Sequence, residues 1–221
     1  MSTAFNKGLR PGLYAITDNT LTPSSQLLSA VASAILGGAV LVQYRDKSST
    51  SSERLRQAAD LQSLCREAGV PLIINDDAEL AHRVGAAGVH LGQSDVSLTE
   101  ARRLLGDQAI IGMTCHSDLE LARTADAAGA DYLAFGRFYP SSTKPGAPPA
   151  NKQVLAQARQ FRRPITAIGG ISADNGAELI CSGADMLAVV GGLFGHPDIE
   201  HQARRLSQLF ADHHPLFHRH S

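Results

Sequence analysis

Short apolar runs alternate along this chain with longer stretches in which apolar positions recur every three or four residues, and no linker or low-complexity segment interrupts the alternation. The short runs, bounded by Gly, Pro, Asp or Asn, read as buried strands at residues 12–18, 39–46, 71–75, 88–93, 109–115, 131–138, 164–170 and 185–194. Helical periodicity fills the intervals, most clearly at 51–68, 118–128, 151–161 and 199–213, and a Ser, Thr, Asp or Asn able to cap orphan amides precedes many of them. A strand begins about every 25 residues, and eight such units fit a compact (β/α)8 barrel, a fold that runs from about 200 residues upward. A doubly wound open sheet reads identically unit by unit. The count of eight and the lack of a GxGxxG after the first run favour the barrel. The expectation is therefore an α/β protein, a single-domain (β/α)8 TIM barrel over 12–213, with an N-terminal extension at 1–11 and a frayed tail at 214–221.

Charge narrows the possible partners. With 20 basic and 21 acidic side chains in 221 residues, the net charge of −1 supplies no broad field for nucleic acid or an anionic membrane. An anionic ligand must be met locally. Three cysteines (Cys65, Cys115, Cys181) without a CxxC pair make neither a disulfide framework nor a zinc site and suggest a reducing compartment. The first residues lack a signal-peptide core, and no apolar run approaches the roughly 20 residues of a spanning helix. A soluble cytoplasmic protein is expected. Only four residues are lysines (Lys7, Lys47, Lys144, Lys152), so the position of each carries information.

Parallel strands of either architecture present ligands at their carboxyl ends, so those ends are where chemistry is to be read. After the second run, alternation along Gln43-Tyr44-Arg45-Asp46-Lys47 puts Gln43, Arg45 and Lys47 on one side and turns Tyr44 and Asp46 to the other. An arginine fork beside a lysine point charge suits an oxyanion such as phosphate. The third run ends Asn75-Asp76-Asp77 and the fourth continues to Asp95, which brings two acids to one rim. Carboxylates plus phosphate oxygens make the partly hydrated oxygen shell that Mg²⁺ prefers. Each acid also has a plainer reading: Asp76 or Asp77 as N-cap of a helix from Ala78, and Asp95 as a cap or turn residue before Ser97. The fifth run ends with Thr114, a possible phosphate donor, beside Cys115, which lacks an adjacent base, and His116, which reads as structural. The sixth exits into the long loop 139–149, where Ser141, Ser142, Thr143 and Lys144 combine hydroxyls and charge. Gly169-Gly170 and Gly191-Gly192 place bare amides after the seventh and eighth runs, where barrels often hold a phosphate.

In order and spacing, the motifs QYRDK, INDD, HLGQSD, GMTCHS, FGRFYPSSTK, AIGGIS and VVGGLF resemble those of the thiamine-phosphate synthase family, over about Gly12 to Phe194. That family joins hydroxymethylpyrimidine diphosphate to hydroxyethylthiazole phosphate and releases pyrophosphate. The resemblance implies two small phosphorylated substrates. The pyrimidine diphosphate would lie along Gln43, Tyr44, Arg45, Asp46, Lys47, Asn75, Thr114 and Lys144, with Mg²⁺ on Asp76 and Asp95. Ser141, Ser142, Thr143, Gly170, Val190 and Gly191 would take the thiazole phosphate. It also implies a dissociative reaction, in which pyrophosphate leaves a stabilised pyrimidine-methylene cation for the thiazole nitrogen to capture. Arg45, Lys47 and Lys144 would then be catalytic through the charge they stabilise on the leaving group. The sequence departs from the family where Thr114 and Gly191 stand for frequent serines, where Ser141 stands for a common threonine, and where Tyr44 stands for a common aliphatic.

Two rival readings carry different chemistry. A sugar-phosphate aldolase or isomerase on the same barrel needs a base or a Schiff-base lysine within a strand, and no run interior contains a lysine. A non-catalytic regulator that binds thiamine phosphates would have no need of the paired acids and Lys144. The His-rich end, His213 to His220, reads as a frayed terminus rather than a metal site, and the pattern is compatible with a homo-oligomer.

Overall fold

In a computed structural model that describes residues 5–140 and 149–217, eight parallel strands close into a barrel in chain order. They are β1 (Gly12–Ile16), β2 (Ala39–Tyr44), β3 (Leu72–Asn75), β4 (Gly88–Leu91), β5 (Ile110–His116), β6 (Tyr132–Phe135), β7 (Ile165–Ile168) and β8 (Met186–Val189). Helices α1 (Leu27–Leu36), α2 (Ser51–Glu67), α3 (Ala78–Val84), α4 (Leu98–Leu105), α5 (Leu119–Ala127), α6 (Gln153–Ala158), α7 (Gly176–Cys181), the short α8 (Gly191–Phe194) and α9 (Ile199–His213) fall between and after them. The open-sheet alternative is excluded, because β1 pairs with both β2 and β8. All eight expected strands form. The apolar run expected at 185–194 is divided: β8 stops at Val189 and residues from Gly191 turn into α8. A continuous apolar run carries neither period, so the sequence could not show where extension gives way to helix.

Alternation along the strands separates two cores. Leu13, Val42, Ile74, Val89, Ile111, Leu133, Ala167 and Leu187 face the helices. Tyr14, Ile16, Leu41, Ile73, Ile110, Tyr132, Met186 and Ala188 fill the barrel. The extension expected at 1–11 is integral to this inner core over its described part. Leu9 is 6% exposed and packs with the inner set, and the Lys7 ammonium reaches Asp131 at 2.8 Å.

Two buried aspartates tie the amino ends of the strands together. The Ile111 amide donates to Asp131 Oδ2 at 2.8 Å, and the Ile165 amide donates to Asp185 Oδ2 at 2.9 Å. The sequence repeats around them, Gly129-Ala130-Asp131 before β6 and Gly183-Ala184-Asp185 before β8. The expected fraying at 214 is corrected: His214 is 3% exposed, and its Nε2 lies 3.2 Å from Asp185 Oδ1. A buried carboxylate needs partners on both oxygens, and the residue after α9 supplies one. Among the described residues no helix is long and apolar enough to cross a membrane.

Candidate active site

The carboxyl end of β2 carries the first cations. Gln43 is inward and 2% exposed, whereas the Tyr44 hydroxyl donates to Gln57 Oε1 on α2 at 2.8 Å. The side chain of Tyr44 is thus committed to the helix layer, as alternation required, and only its backbone lies on the site's path. Arg45 is held at the mouth: its amide donates to Thr17 Oγ1 at 2.9 Å, and Nη1 lies 3.3 Å from Asp18 Oδ2. Asp46 serves the loop, accepting from the amides of Ser48 at 2.9 Å and Ser49 at 3.0 Å. Burial tends to raise its carboxyl, but the Ser49 and Ser48 bonds outweigh it and hold the group below its usual value. The Lys47 ammonium meets Asp76 Oδ2 at 3.1 Å.

The structure separates the two neighbouring acids of β3. Asp77 is the N-cap of α3, accepting from the Leu80 amide at 2.8 Å, and is paired with Arg54 at 2.9 Å. Asp76 is left for the mouth. It has a left-handed φ of 65°, and its amide donates to His90 O at 2.8 Å. A non-glycine residue in that region costs about 1 kcal/mol or more, and such strain gathers at functional sites. Asp95 closes the turn after β4 by accepting from the Gly92 amide at 2.7 Å, and Ser97, not Asp95, caps α4. The Asn75 side chain makes no hydrogen bond among the described residues. A cleft of about 710 Å³ opens here, lined by Asp46, Lys47, Arg54, Asn75 and Asp76 and extending between α3 and α4.

Thr114 faces inward from β5, with Oγ1 2.9 Å from His90 Nε2. Cys115 is buried, and desolvation pushes its thiol up to about 12, which leaves no nucleophilic thiolate at neutral pH. His116 is exposed, with a φ of 51°.

Across the mouth, Gly170 (φ 67°) passes so close to the backbone of Tyr139 and Pro140 that a β-carbon would collide. Asn175 Nδ2 donates to Gly170 O at 3.0 Å, and the Tyr139 hydroxyl donates to Asn175 O at 3.1 Å. Val190 precedes α8, and a β-carbon on Gly191 would meet open space apart from Leu21 at 3.9 Å. The first amides of a helix lack intrahelical acceptors, so this end offers donors to an anion. Ser141, Ser142, Thr143 and Lys144 lie outside the described residues.

Sequence reasoning missed three side chains inside the barrel: Tyr14, His90 and Tyr132. Tyr14 Oη is 2.8 Å from Tyr132 Oη, which is 2.9 Å from His90 Nδ1. Their signal was a polar tip at an inward-facing position of an otherwise apolar run.

A family model described as thiamine monophosphate synthase matches residues 13–193. A thiamine-phosphate synthase of Marinobacter nauticus (strain ATCC 700491 / DSM 11845 / VT8) is 64% identical over 211 residues, covering 95% of each chain. One from Thioalkalivibrio sulfidiphilus (strain HL-EbGR7) is 52% identical over 200 residues, 90% of this chain and 95% of the relative. The solved thiamine phosphate pyrophosphorylase from Pyrococcus furiosus superposes with a TM-score of 0.83 at 31% identity, over 94% of this chain and 97% of that one.

Proposed function

The chain belongs to the thiamine monophosphate synthase family, and from that premise we propose how its residues divide the work of the reaction. The activity is thiamine-phosphate synthesis: a pyrimidine diphosphate and a thiazole phosphate become thiamine phosphate and pyrophosphate. Arg45, Lys47 and Asn75 receive the diphosphate, Gln43 and Thr114 meet it from inside the barrel, and Lys144 completes the set. The thiazole phosphate takes the amides at Gly170, Val190 and Gly191 and the hydroxyls of Ser141 to Thr143.

The observation that carries this division is the meeting of Lys47 with Asp76 at 3.1 Å beside the Asn75 amide, which has no hydrogen-bond partner among the described residues. A cation, an acid and a neutral amide at one strand end suit a phosphate that arrives with its own metal, whereas a Schiff-base enzyme needs a lysine within a strand. No group of three or more His, Cys, Asp or Glu side chains among the described residues could cage a metal alone. Two carboxylates fit Mg²⁺, which usually keeps waters and takes substrate phosphates as ligands. Asp76 and Asp95 would hold it, and when bound it supplies neutralisation of the leaving diphosphate.

Departure of pyrophosphate is then governed by the chain's own cations. Arg45 is already fixed by Thr17 and Asp18, so it meets the developing charge without reorganising. No side chain acts as nucleophile. The thiazole nitrogen captures the pyrimidine-methylene cation, and the thiazole phosphate's anchorage at β7 and β8 sets its direction of approach.

The test is a pyrophosphate-release assay with both substrates and with each omitted. Release that requires both supports the reading, and no release with both present overturns it. Asp76→Ala should lower turnover at least about tenfold under limiting Mg²⁺. Full activity there would remove Asp76 from the metal site.

A further inference from the structure

A file of five side chains crosses the barrel interior from Gln43 on β2 to Thr114 on β5. Gln43 Nε2 lies 2.6 Å from Tyr14 Oη, Tyr14 Oη lies 2.8 Å from Tyr132 Oη, and Tyr132 Oη lies 2.9 Å from His90 Nδ1. The file ends with His90 Nε2, 2.9 Å from Thr114 Oγ1. The rings are locked by one another. Tyr14 meets Tyr132 edge-on with centroids 5.8 Å apart, and His90 stacks on Tyr132 at 5.5 Å. The Tyr132 ring occupies the space left by the missing side chain of Gly112, where a β-carbon would collide with it.

The direction of the file follows from proton counting. Tyr14 and Tyr132 are fully buried, and desolvation pushes both phenols up, so each keeps one proton and donates one bond. An amide nitrogen only donates. Gln43 therefore donates to Tyr14, which must donate to Tyr132, which must donate to His90 Nδ1. The imidazole proton then sits on Nε2 and is donated to Thr114. Thr114 has no other side-chain hydrogen bond among the described residues, so its own proton points onward to the mouth. Gln43 Oε1, likewise without a partner there, is left as an acceptor.

We propose that this one-way file holds His90 as its Nε2–H tautomer and presents the Thr114 hydroxyl as a donor to a diphosphate oxygen, with Tyr14, Tyr132 and His90 acting as positioning residues. The inference rests on the assignment of Gln43 and Thr114 to the pyrimidine diphosphate. A reversed file would aim the Thr114 proton at His90 and turn only lone pairs toward an oxyanion, which repels it. The file thus sets the sign of the dipole that meets the leaving group before substrate arrives.

The tautomer is read from long-range proton–nitrogen correlation spectra of ¹⁵N-histidine-labelled full-length protein, with His90→Asn used to assign the His90 ring. A neutral ring protonated at Nε2 is expected. A ring protonated at Nδ1, or at both nitrogens, overturns the direction, and this measurement needs no variant to be active. Tyr132→Phe keeps the ring and removes the proton given to Nδ1. The His90 signals should then depart from the pure Nε2–H form, and kcat/KM for the pyrimidine diphosphate should fall about tenfold while KM for the thiazole phosphate stays within about twofold. Unchanged kcat/KM, or equal loss toward both substrates, overturns the positioning role. Thr114→Ser should retain activity within about threefold where Thr114→Ala does not. Full activity in Thr114→Ala would instead overturn the diphosphate assignment and leave the tautomer standing on its spectrum.

Discussion

At the scale of single residues, the fold gives two chemically similar neighbours different partners. Asp77 is consumed as a helix cap with an arginine partner, and Asp76 is left at the mouth in a left-handed conformation. Asp76→Gly should therefore separate function from stability. It relieves about 1 kcal/mol of backbone strain, adds a comparable unfolded-state entropy cost and loses only a partly exposed ion pair. The expected thermal midpoint is within about 4 °C of the parent, with turnover under limiting Mg²⁺ reduced as for Asp76→Ala. A midpoint far lower would mean that Asp76 is structural.

Thr166 is the opposite case, a fully buried hydroxyl with no partner among the described residues. Since an unsatisfied buried hydroxyl is costly, Thr166→Val should leave stability unchanged or raise it by about 1 kcal/mol in denaturant unfolding. A loss of more than about 1 kcal/mol would reveal a bond to this hydroxyl. The cysteines allow a direct chemical check. Burial pushes the Cys65 and Cys115 thiols up to about 12, whereas Cys181 is exposed. Iodoacetamide at pH 8 should thus label one site per native chain. Labelling at Cys115 would return it to consideration as a reactive group.

At the scale of elements, the strands are rails whose parity decides everything at the mouth. Gln43 and Tyr44 are adjacent in sequence and belong to different layers, one in the barrel and one against α2. Loops then fix what parity cannot. The segment after β7 is pinned through Asn175, which donates to Gly170 O and accepts from the Tyr139 hydroxyl through its own carbonyl. Asn175→Ala should loosen the Gly170 amide and raise KM for the thiazole phosphate about three- to tenfold with little change in kcat. A lower kcat with unchanged KM would place this turn in the chemical step instead.

Legibility at this scale was uneven for a physical reason. All eight strands were marked by apolar runs with breakers, and α9 was bounded correctly, because its apolar face repeats at helical period and Asp198 caps it. The β8–α8 boundary was hidden because Val189 to Phe194 is apolar or glycine throughout, with no periodicity to change.

At the scale of the whole molecule, the two ends of the barrel have separate duties. The amino end is tied by the paired Gly-Ala-Asp segments. Asp131 binds Lys7 and Arg102, at 2.8 and 2.7 Å, and takes the Ile111 amide. Asp185 takes the Ile165 amide and His214. Removing one partner of a buried charge network leaves the others uncompensated, so Asp131→Ala should cost about 3–5 kcal/mol in denaturant unfolding. A cost below about 1 kcal/mol would mean that the clamp is dispensable.

The sequence by itself determined the barrel, its eight units, the family and the residues standing at the strand ends. Each of these is written in local periodicity or in motifs spaced along the chain. Only the tertiary structure decided that His214 and Leu9 belong to the fold and that Asp77 rather than Asp76 is the cap. It also decided that Tyr14, His90 and Tyr132 form one file, because those contacts join residues 42 and 118 positions apart in sequence. Closure of the barrel brings such residues together, and no local pattern records which inward-facing polar groups will meet.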